Sequence, residues 1–374
     1  MAGIYIHIPF CKQTCSYCDF HFSISLKYKT DLVKALVLEI ENRKHQLTSE
    51  INTIYFGGGT PSLLNDDELK LIIDAVYQNY NVASNIELTL ECNPDDLSKN
   101  KLKELKNAGV NRLSIGVQSF DNEELQFFNR AHNSSQAESS IKRSQDVGFE
   151  NITIDLIYGS PLLTDKIWLE NLQKVNDLEV PHLSAYGLTV EPKTKLDHQI
   201  KTGQFPILDD DKMIAQFKVL VQKTKEFGFT QYEVSSFGKK GFYSQHNSNY
   251  WKGVEYLGFG PSAHSYIGEK RIWNVSNNIK YIKALNTAGI YFEEETIDEK
   301  TAFNEYVLTR LRTIWGIDLD FIKNNFNEEI NTHFQKEIQQ YSKSSYLQTE
   351  KDKITLTQEG IFIADKITSD LFYV

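Results

Sequence analysis

Six short apolar runs alternate with longer amphipathic stretches through the first half of the chain. The runs, at residues 3–9, 53–59, 86–93, 112–119, 151–159 and 182–190, are rich in Ile, Leu, Tyr and Val and have the length of buried strands. The stretches between them, such as 66–80 and 98–108, repeat apolar residues every three or four positions, the period of a helix packed on one side. Gly109 and Gly148 stand where two of these helices should stop, because glycine readily takes the left-handed conformation that ends a helix. Alternation of this kind predicts parallel pairing and an α/β protein, here a partial (β/α)6 barrel.

Successive side chains of a strand point to opposite sides, so parity sorts the faces. In 86–93, Glu87, Thr89 and Glu91 share one face and Leu88, Leu90 and Cys92 the other. Ser114, Gly116 and Gln118 likewise oppose Leu113, Ile115 and Val117, and Thr153 and Asp155 oppose Ile152, Ile154 and Leu156. The apolar faces must meet the helices, which leaves the polar faces to line the barrel interior. Glu91, Gln118 and Asp155 then lie toward the carboxyl ends of their strands, where barrels bind substrates. An unpaired buried polar group costs on the order of a few kcal/mol, so a polar ligand is expected there.

The chain has 374 residues, 40% of them hydrophobic, enough for a barrel-sized domain plus a smaller one. Forty basic against fifty acidic residues give a net charge of −10, which repels nucleic-acid phosphate; no nucleic-acid partner is expected. The sequence shows neither a secretory signal pattern nor a run of about 18 apolar residues, and the expected location is cytoplasmic. Three of the four cysteines crowd into one loop, which suits a reducing compartment better than a disulfide framework. Beyond about residue 290 the pattern changes. Residues 303–314 read as an amphipathic helix, 316–318 as a turn into another, and 354–360 as a strand entering a final helix.

The crowded loop is Cys11-Lys-Gln-Thr-Cys15-Ser-Tyr-Cys18, directly after the first strand. Soft thiolates suit an iron–sulfur cluster or a zinc ion. A structural zinc wants four protein ligands and would have to recruit His21 or His7. A CX3CX2C loop with an aromatic before its last cysteine instead resembles the radical SAM signature, in which one iron stays free of protein ligands. The second strand ends in Phe56-Gly57-Gly58-Gly59-Thr60-Pro61, whose glycines let backbone N–H groups approach a ligand closely. A P-loop is excluded, because no Gly-Lys-Ser/Thr follows.

Seven motifs then fall in order along the chain. They are Tyr5-Ile-His-Ile-Pro-Phe-Cys11, the CX3CX2C loop, Gly57-Gly-Gly-Thr-Pro61, Glu91-Cys-Asn-Pro94, Gly116-Val-Gln-Ser-Phe120, Arg130-Ala-His132 and Asp155-Leu-Ile-Tyr-Gly-Ser-Pro161. As a set they resemble the radical SAM family built around coproporphyrinogen dehydrogenase, and within it the HemW-type haem chaperones. The resemblance implies that Cys11, Cys15 and Cys18 ligate a 4Fe-4S cluster whose fourth iron is chelated by S-adenosylmethionine. It places Tyr5 near the sulfonium, the Tyr17 backbone at the adenine, and Gly58, Gly59 and Thr60 at the methionyl amino end. Glu91, Gln118, Arg130 and Asp155 would fix the carboxylate and ribose, roles that suit their chemistry. Local sequence alone reads Arg130 as a surface ion pair and Glu91 and Asp155 as strand-end carboxylates.

Two departures separate the branches of that family. The dehydrogenases carry a further cysteine two places after the last cluster ligand and an N-terminal extension over the porphyrinogen. Here that place is Phe20, and the chain begins four residues before Tyr5. His246-Asn-Ser-Asn-Tyr-Trp251 resembles the HNXXYW motif associated with haem binding in the chaperones, which implies His246 as an axial haem ligand with Tyr250 and Trp251 against the macrocycle. His264 belongs to a stretch common to both branches and does not discriminate.

The expected organisation is a radical SAM core over residues 1–235, a haem-motif connecting region over 236–290, and a C-terminal α+β domain over 291–374, partly winged-helix-like, that serves as a lid or partner surface. The expected function is a haem chaperone that binds haem, a 4Fe-4S cluster and S-adenosylmethionine and delivers haem to an acceptor such as a respiratory haem protein. Peripheral contact with a membrane-bound acceptor and a homodimer are both compatible with it. The alternatives are an oxygen-independent coproporphyrinogen III oxidase and a zinc-stabilised barrel without redox function.

Overall fold

The computed structural model describes residues 1–341 and 343–374. Six parallel strands form its centre, hydrogen-bonded in chain order: β1 (Ala2–Ile8), β2 (Ile51–Gly58), β3 (Val82–Cys92), β4 (Arg112–Gln118), β5 (Asn151–Tyr158) and β6 (His182–Gly187). The helices between them are α1 (Lys29–Asn42), α2 (Asp66–Asn79), α3 (Lys99–Asn107), the pair α4 (Asn122–Phe127) and α5 (Ser134–Asp146), and α6 (Asp165–Asp177). Ile4, Ile6, Leu88, Leu90, Leu113 and Ile154 from the strands are buried in one core with Leu36, Ile72, Leu102, Ile141 and Leu172 from the helices. Each such side chain stabilises the fold by about 1.5–3 kcal/mol relative to exposure, so this layer holds the helices on the sheet. Local signals agree with it. Asn65 and Glu68 close a capping box at the start of α2, and α3 and α5 end just before Gly109 and Gly148, each at φ +92°.

The expected six strands are the centre of a larger sheet of twelve. After β6, α7 (Lys195–Lys201) and α8 (Asp210–Glu226) lead to β7 (Thr230–Glu233) and β8 (Ser236–Gly238), with β8 antiparallel to β6. Next, α9 (Gln245–Trp251) leads into β9 (Tyr256–Phe259), which pairs parallel with the free side of β1. Then β10 (His264–Ile267), β11 (Lys270–Asn274), α10 (Asn278–Asn286) and β12 (Phe292–Thr296) follow, and their strands continue the sheet antiparallel. Residues 236–290 therefore extend the barrel sheet on both of its sides.

The remainder is α11 (Glu299–Leu311), β13 (Ile317–Asp318), α12 (Leu319–Asn325), α13 (Glu328–Gln339), β14 (Leu347–Glu350), β15 (Lys353–Leu356), α14 (Gln358–Ile361) and α15 (Ala364–Leu371). It has its own apolar core, including Phe303, Val307, Leu311, Ile322, Phe334, Ile367 and Leu371, and a small sheet in the order β13-β15-β14. This domain covers the end of the large sheet beyond β7. The Ile314 N–H donates to the Tyr232 carbonyl and the Val234 N–H to the Arg312 carbonyl, both at 3.1 Å, so the edge is not left open to other chains. Among the described residues no helix is long and apolar enough to cross a membrane.

Candidate cluster and cofactor site

The carboxyl ends of the central strands converge on a cavity of about 560 Å³. Its walls include Cys11, Cys15, Tyr17, Cys18, Gly58, Gly59, Thr60, Glu91, Gln118, Arg130 and Asp155, which is every expected site residue except Tyr5 and His246.

The cysteine loop is braced from three directions. The register of β1 on β2 sets Ile8 beside Gly58, and the Gly59 N–H donates to the Ile8 carbonyl at 2.9 Å. A Cβ on Gly59 would sit 2.7 Å from the Phe10 carbonyl oxygen, so only glycine lets these two loops touch. Cys11 donates its N–H to the Ser23 carbonyl at 3.0 Å, and Ser23 returns one to Pro9 at 2.9 Å. The middle of the loop docks on the end of α4, where Gln13 Nε2 donates to the Asn129 carbonyl and Asn129 Nδ2 to the Thr14 carbonyl, both at 2.6 Å. All three thiols are free and partly exposed. The Thr60 hydroxyl donates to Cys11 Sγ at 3.6 Å and Arg130 Nη1 to Cys15 Sγ at 3.2 Å. Burial pushes the Cys18 thiol up to about 11 and raises that of Cys11 despite the Thr60 hydrogen bond, so these sulfurs become thiolates most readily with a cation to meet them.

The loop as it stands is not drawn together around a single metal ion. Tetrahedral zinc–sulfur bonds of about 2.3 Å would bring sulfurs to within about 4 Å of one another, yet among the described residues no three His, Cys, Asp or Glu side chains gather as for one metal ion. Of the two candidate fourth ligands, His7 has both ring nitrogens engaged and His21 only Nε2. His7 spends Nδ1 on the Tyr5 hydroxyl and Nε2 on the His21 carbonyl, both at 3.0 Å, and His21 Nε2 binds Asn278 Oδ1 at 2.8 Å. A cluster, in which each thiolate takes a different iron, accepts wider spacing.

Deeper in the cavity, Glu91 accepts from the Tyr55 hydroxyl at 2.8 Å and from the Gly58 N–H at 3.1 Å. Burial nevertheless pushes its carboxyl up to about 7, and burial does the same to Asp155 against the pull of Arg112 and Arg130. Arg130 Nη2 donates to Asn93 Oδ1 at 2.6 Å and to the Gly116 carbonyl at 2.8 Å, while its Nε is buried without a partner. A Cβ on Gly116 would stand 2.9 Å from Gln118 Nε2 and 3.2 Å from Arg130 Nη2, so this glycine makes room for both side chains. Gln118 itself has φ +68°, and the β4–β5 ladder slips between Ile115 and Gln118, an irregularity that re-aims the side chain.

Two expected residues lie elsewhere. Tyr5 stacks on Tyr55 with ring centroids 6.2 Å apart and binds His7, inside the barrel and outside the cavity lining. His246 is 1% exposed at the amino end of the barrel, where a Cβ on Gly3 would approach its ring to 3.3 Å. Its Nδ1 binds Thr53 Oγ1 at 2.8 Å and its Nε2 the Tyr250 hydroxyl at 2.7 Å, while the ring stacks on Tyr55 at 5.0 Å. Glu87 accepts the backbone N–H groups of Gln245 and His246, each at 3.0 Å, and so fixes α9 across the barrel floor. In this arrangement both ring nitrogens of His246 are engaged within the protein, so an axial role at haem iron would require one of these hydrogen bonds to open. Asn93 is the residue that sequence reasoning missed. It stood inside the Glu91-Cys-Asn-Pro94 motif, whose glutamate alone was given a role.

A model of the Radical SAM superfamily matches residues 5–175, and one of the HemN C-terminal domain matches residues 297–363. The strand order and the three-cysteine cavity are thus those of a radical SAM protein with an appended domain. Over 98% of both chains the sequence is 32% identical to heme chaperone HemW of Bacillus subtilis (strain 168). It is also 32% identical to heme chaperone HemW of Lactococcus lactis subsp. lactis (strain IL1403), over 97% of this chain and 95% of the relative. The chain belongs to the HemW family. Coproporphyrinogen III oxidase (HemN) from Escherichia coli, described as a radical SAM enzyme, shares the fold with a TM-score of 0.87 over 99% of this chain and 90% of that one, at 21% identity.

Membership of the radical SAM superfamily implies a 4Fe-4S cluster and S-adenosylmethionine. The residues present fit both. Three thiols line one side of the cavity, and beside them lie an unpaired buried guanidinium donor, two carboxyls and an open glycine backbone.

Proposed function

We propose that this chain is a haem chaperone that binds haem alongside a radical SAM core and passes it to an acceptor protein. The observation that carries this reading is the full-length likeness to relatives named heme chaperone HemW. Phe20 supports it: where the dehydrogenases of the wider family have a further cysteine, this chain has an aromatic that is 67% exposed at the cavity.

Cys11, Cys15 and Cys18 would hold the cluster. Gly58, Gly59, Thr60, Glu91, Gln118, Arg130 and Asp155 would hold S-adenosylmethionine, with the Tyr17 backbone beside the adenine. The unpaired Arg130 Nε suits the methionyl carboxylate, and ionised Glu91 and Asp155 suit an ammonium or ribose hydroxyls. Bound together, cluster and methionine cofactor supply one-electron redox chemistry. The protein's own contribution is to hold both against β1–β5 with backbone-braced loops. The acceptor is proposed to be a respiratory haem protein, met at the surface where it is membrane-bound.

Anaerobic titration of the cluster-reconstituted protein with haemin, followed by absorption, tests the reading, with coproporphyrinogen III turnover assayed on the same preparation. The expected result is saturable one-to-one haem binding and no vinyl product. Vinyl product without specific haem binding would overturn it in favour of the oxidase.

A further inference from the structure

One amide joins the partners of two cluster cysteines. Asn93 directly follows β3; its Nδ2 donates to Thr60 Oγ1 at 3.1 Å and its Oδ1 accepts from Arg130 Nη2 at 2.6 Å. Thr60 donates in turn to Cys11 Sγ at 3.6 Å, and Arg130 Nη1 to Cys15 Sγ at 3.2 Å. The result is a continuous hydrogen-bonded arc from one thiol to the other, Cys11–Thr60–Asn93–Arg130–Cys15. Its direction is set by chemistry. A guanidinium has only donors, so Asn93 must turn its carbonyl oxygen to Arg130 and its NH2 to Thr60, which leaves the Thr60 proton for sulfur. Both sulfurs therefore receive a donor.

The backbone under Asn93 is braced against both loops. The Asn93 N–H donates to Ser62 Oγ at 3.4 Å, and Ser62 Oγ donates to Asp96 Oδ2 at 2.7 Å. Lys12, between the first two cysteines, pairs with Asp95 at 2.6 Å and also with Asp96.

We propose that Asn93 is a positioning residue that sets the polarity of this arc and thereby the electron density on the Cys11 sulfur. The inference rests on the reading that Cys11, Cys15 and Cys18 hold the cluster. Donors to ligand sulfurs spread thiolate charge and favour the reduced cluster, so losing one moves the midpoint potential to more negative values. Asn93→Asp is nearly isosteric, but its second oxygen can only accept. The Thr60 proton then turns from Cys11 to the new carboxylate.

The test is an EPR-monitored redox titration of the full-length, anaerobically reconstituted protein as wild type, Asn93→Asp, Thr60→Val and the double variant, with iron and sulfide measured on each. All four should carry the same iron and sulfide, and each single variant should shift to a more negative midpoint. Asn93→Asp should shift the potential less in the Thr60→Val background than in wild type, because the hydroxyl it redirects is gone. Equal shifts in both backgrounds, or no shift in either single variant, overturn the proposal while leaving the cluster assignment intact. A wild type that takes up no iron and sulfide overturns both. Where Asn93→Asp does not load, Thr60→Val decides: a negative shift upholds the arc and an unchanged midpoint overturns it.

Discussion

Burial pushes the carboxyls of Glu91 and Asp155 up to about 7, so near neutral pH each sits between its protonated and ionised forms. Only the ionised form pairs with an ammonium, and it accepts from ribose hydroxyls without reserve. A ligand that needs a charged carboxylate must therefore drive off a proton below pH 7. Affinity should rise as pH passes through 7 and level off above it. One such group gives about a tenfold gain in S-adenosylmethionine affinity between pH 6 and pH 8, since its ionised fraction grows by that factor. Calorimetry in buffers of different ionisation heat should show proton release at pH 6, and Glu91→Gln should flatten the profile by its share. An affinity independent of pH in the wild type would contradict carboxylate contact. Glu91 and Asp155 were legible because strand parity holds along β3 and β5, and both reach the cavity that parity pointed to; Gln118 reaches it too, past the slip in the β4–β5 ladder. Asn93 was not legible, because it lies one residue past the end of β3, where alternation no longer constrains the side chain. Tyr5 and His246 show the complementary limit, since a motif names a chemistry without giving its depth in the barrel.

Among the elements, α9 departs furthest from the sequence reading. Its seven residues, Gln245–Trp251, are too few to show a helical period, and the element is held by buried tertiary contacts instead. Glu87 caps it from β3, and His246 binds Thr53 of β2 while stacking on Tyr55. His246→Ala removes an imidazole with two hydrogen bonds from a closed interior, and a loss of about 2–4 kcal/mol is expected in denaturant unfolding. Haem stoichiometry should be unchanged. A folded His246→Ala protein whose haem spectrum lost an axial ligand would identify His246 as a ligand of the iron. The strands beyond the central six were hidden for a related reason. They have three to five residues each, and β12, Phe292-Glu-Glu-Glu-Thr296, carries no apolar alternation. They pair because β1 and β6 would otherwise leave open edges, a requirement of the sheet and not of their own sequences.

Across the whole molecule, the barrel and the C-terminal domain are tied by backbone pairing at β7, by an ion pair between Arg271 and Glu305, and by a cation–π contact of the Lys252 ammonium with the Trp315 ring, 4.2 Å from its centroid. The cavity opens at the carboxyl ends of the strands, and α9 closes the opposite end. Fold and cofactor cavity follow from periodicity, parity and glycine placement, whereas the handling of haem rests on family likeness. Haem handling is therefore what most needs a direct assay. Haem-loaded, cluster-reconstituted protein should be mixed anaerobically with the apo form of a b-type respiratory haem protein, with and without S-adenosylmethionine, while the acceptor's absorption is followed. Near-stoichiometric appearance of haem in the acceptor is the expected result. An acceptor that stays empty, together with vinyl products formed from coproporphyrinogen III by the same preparation, would contradict it.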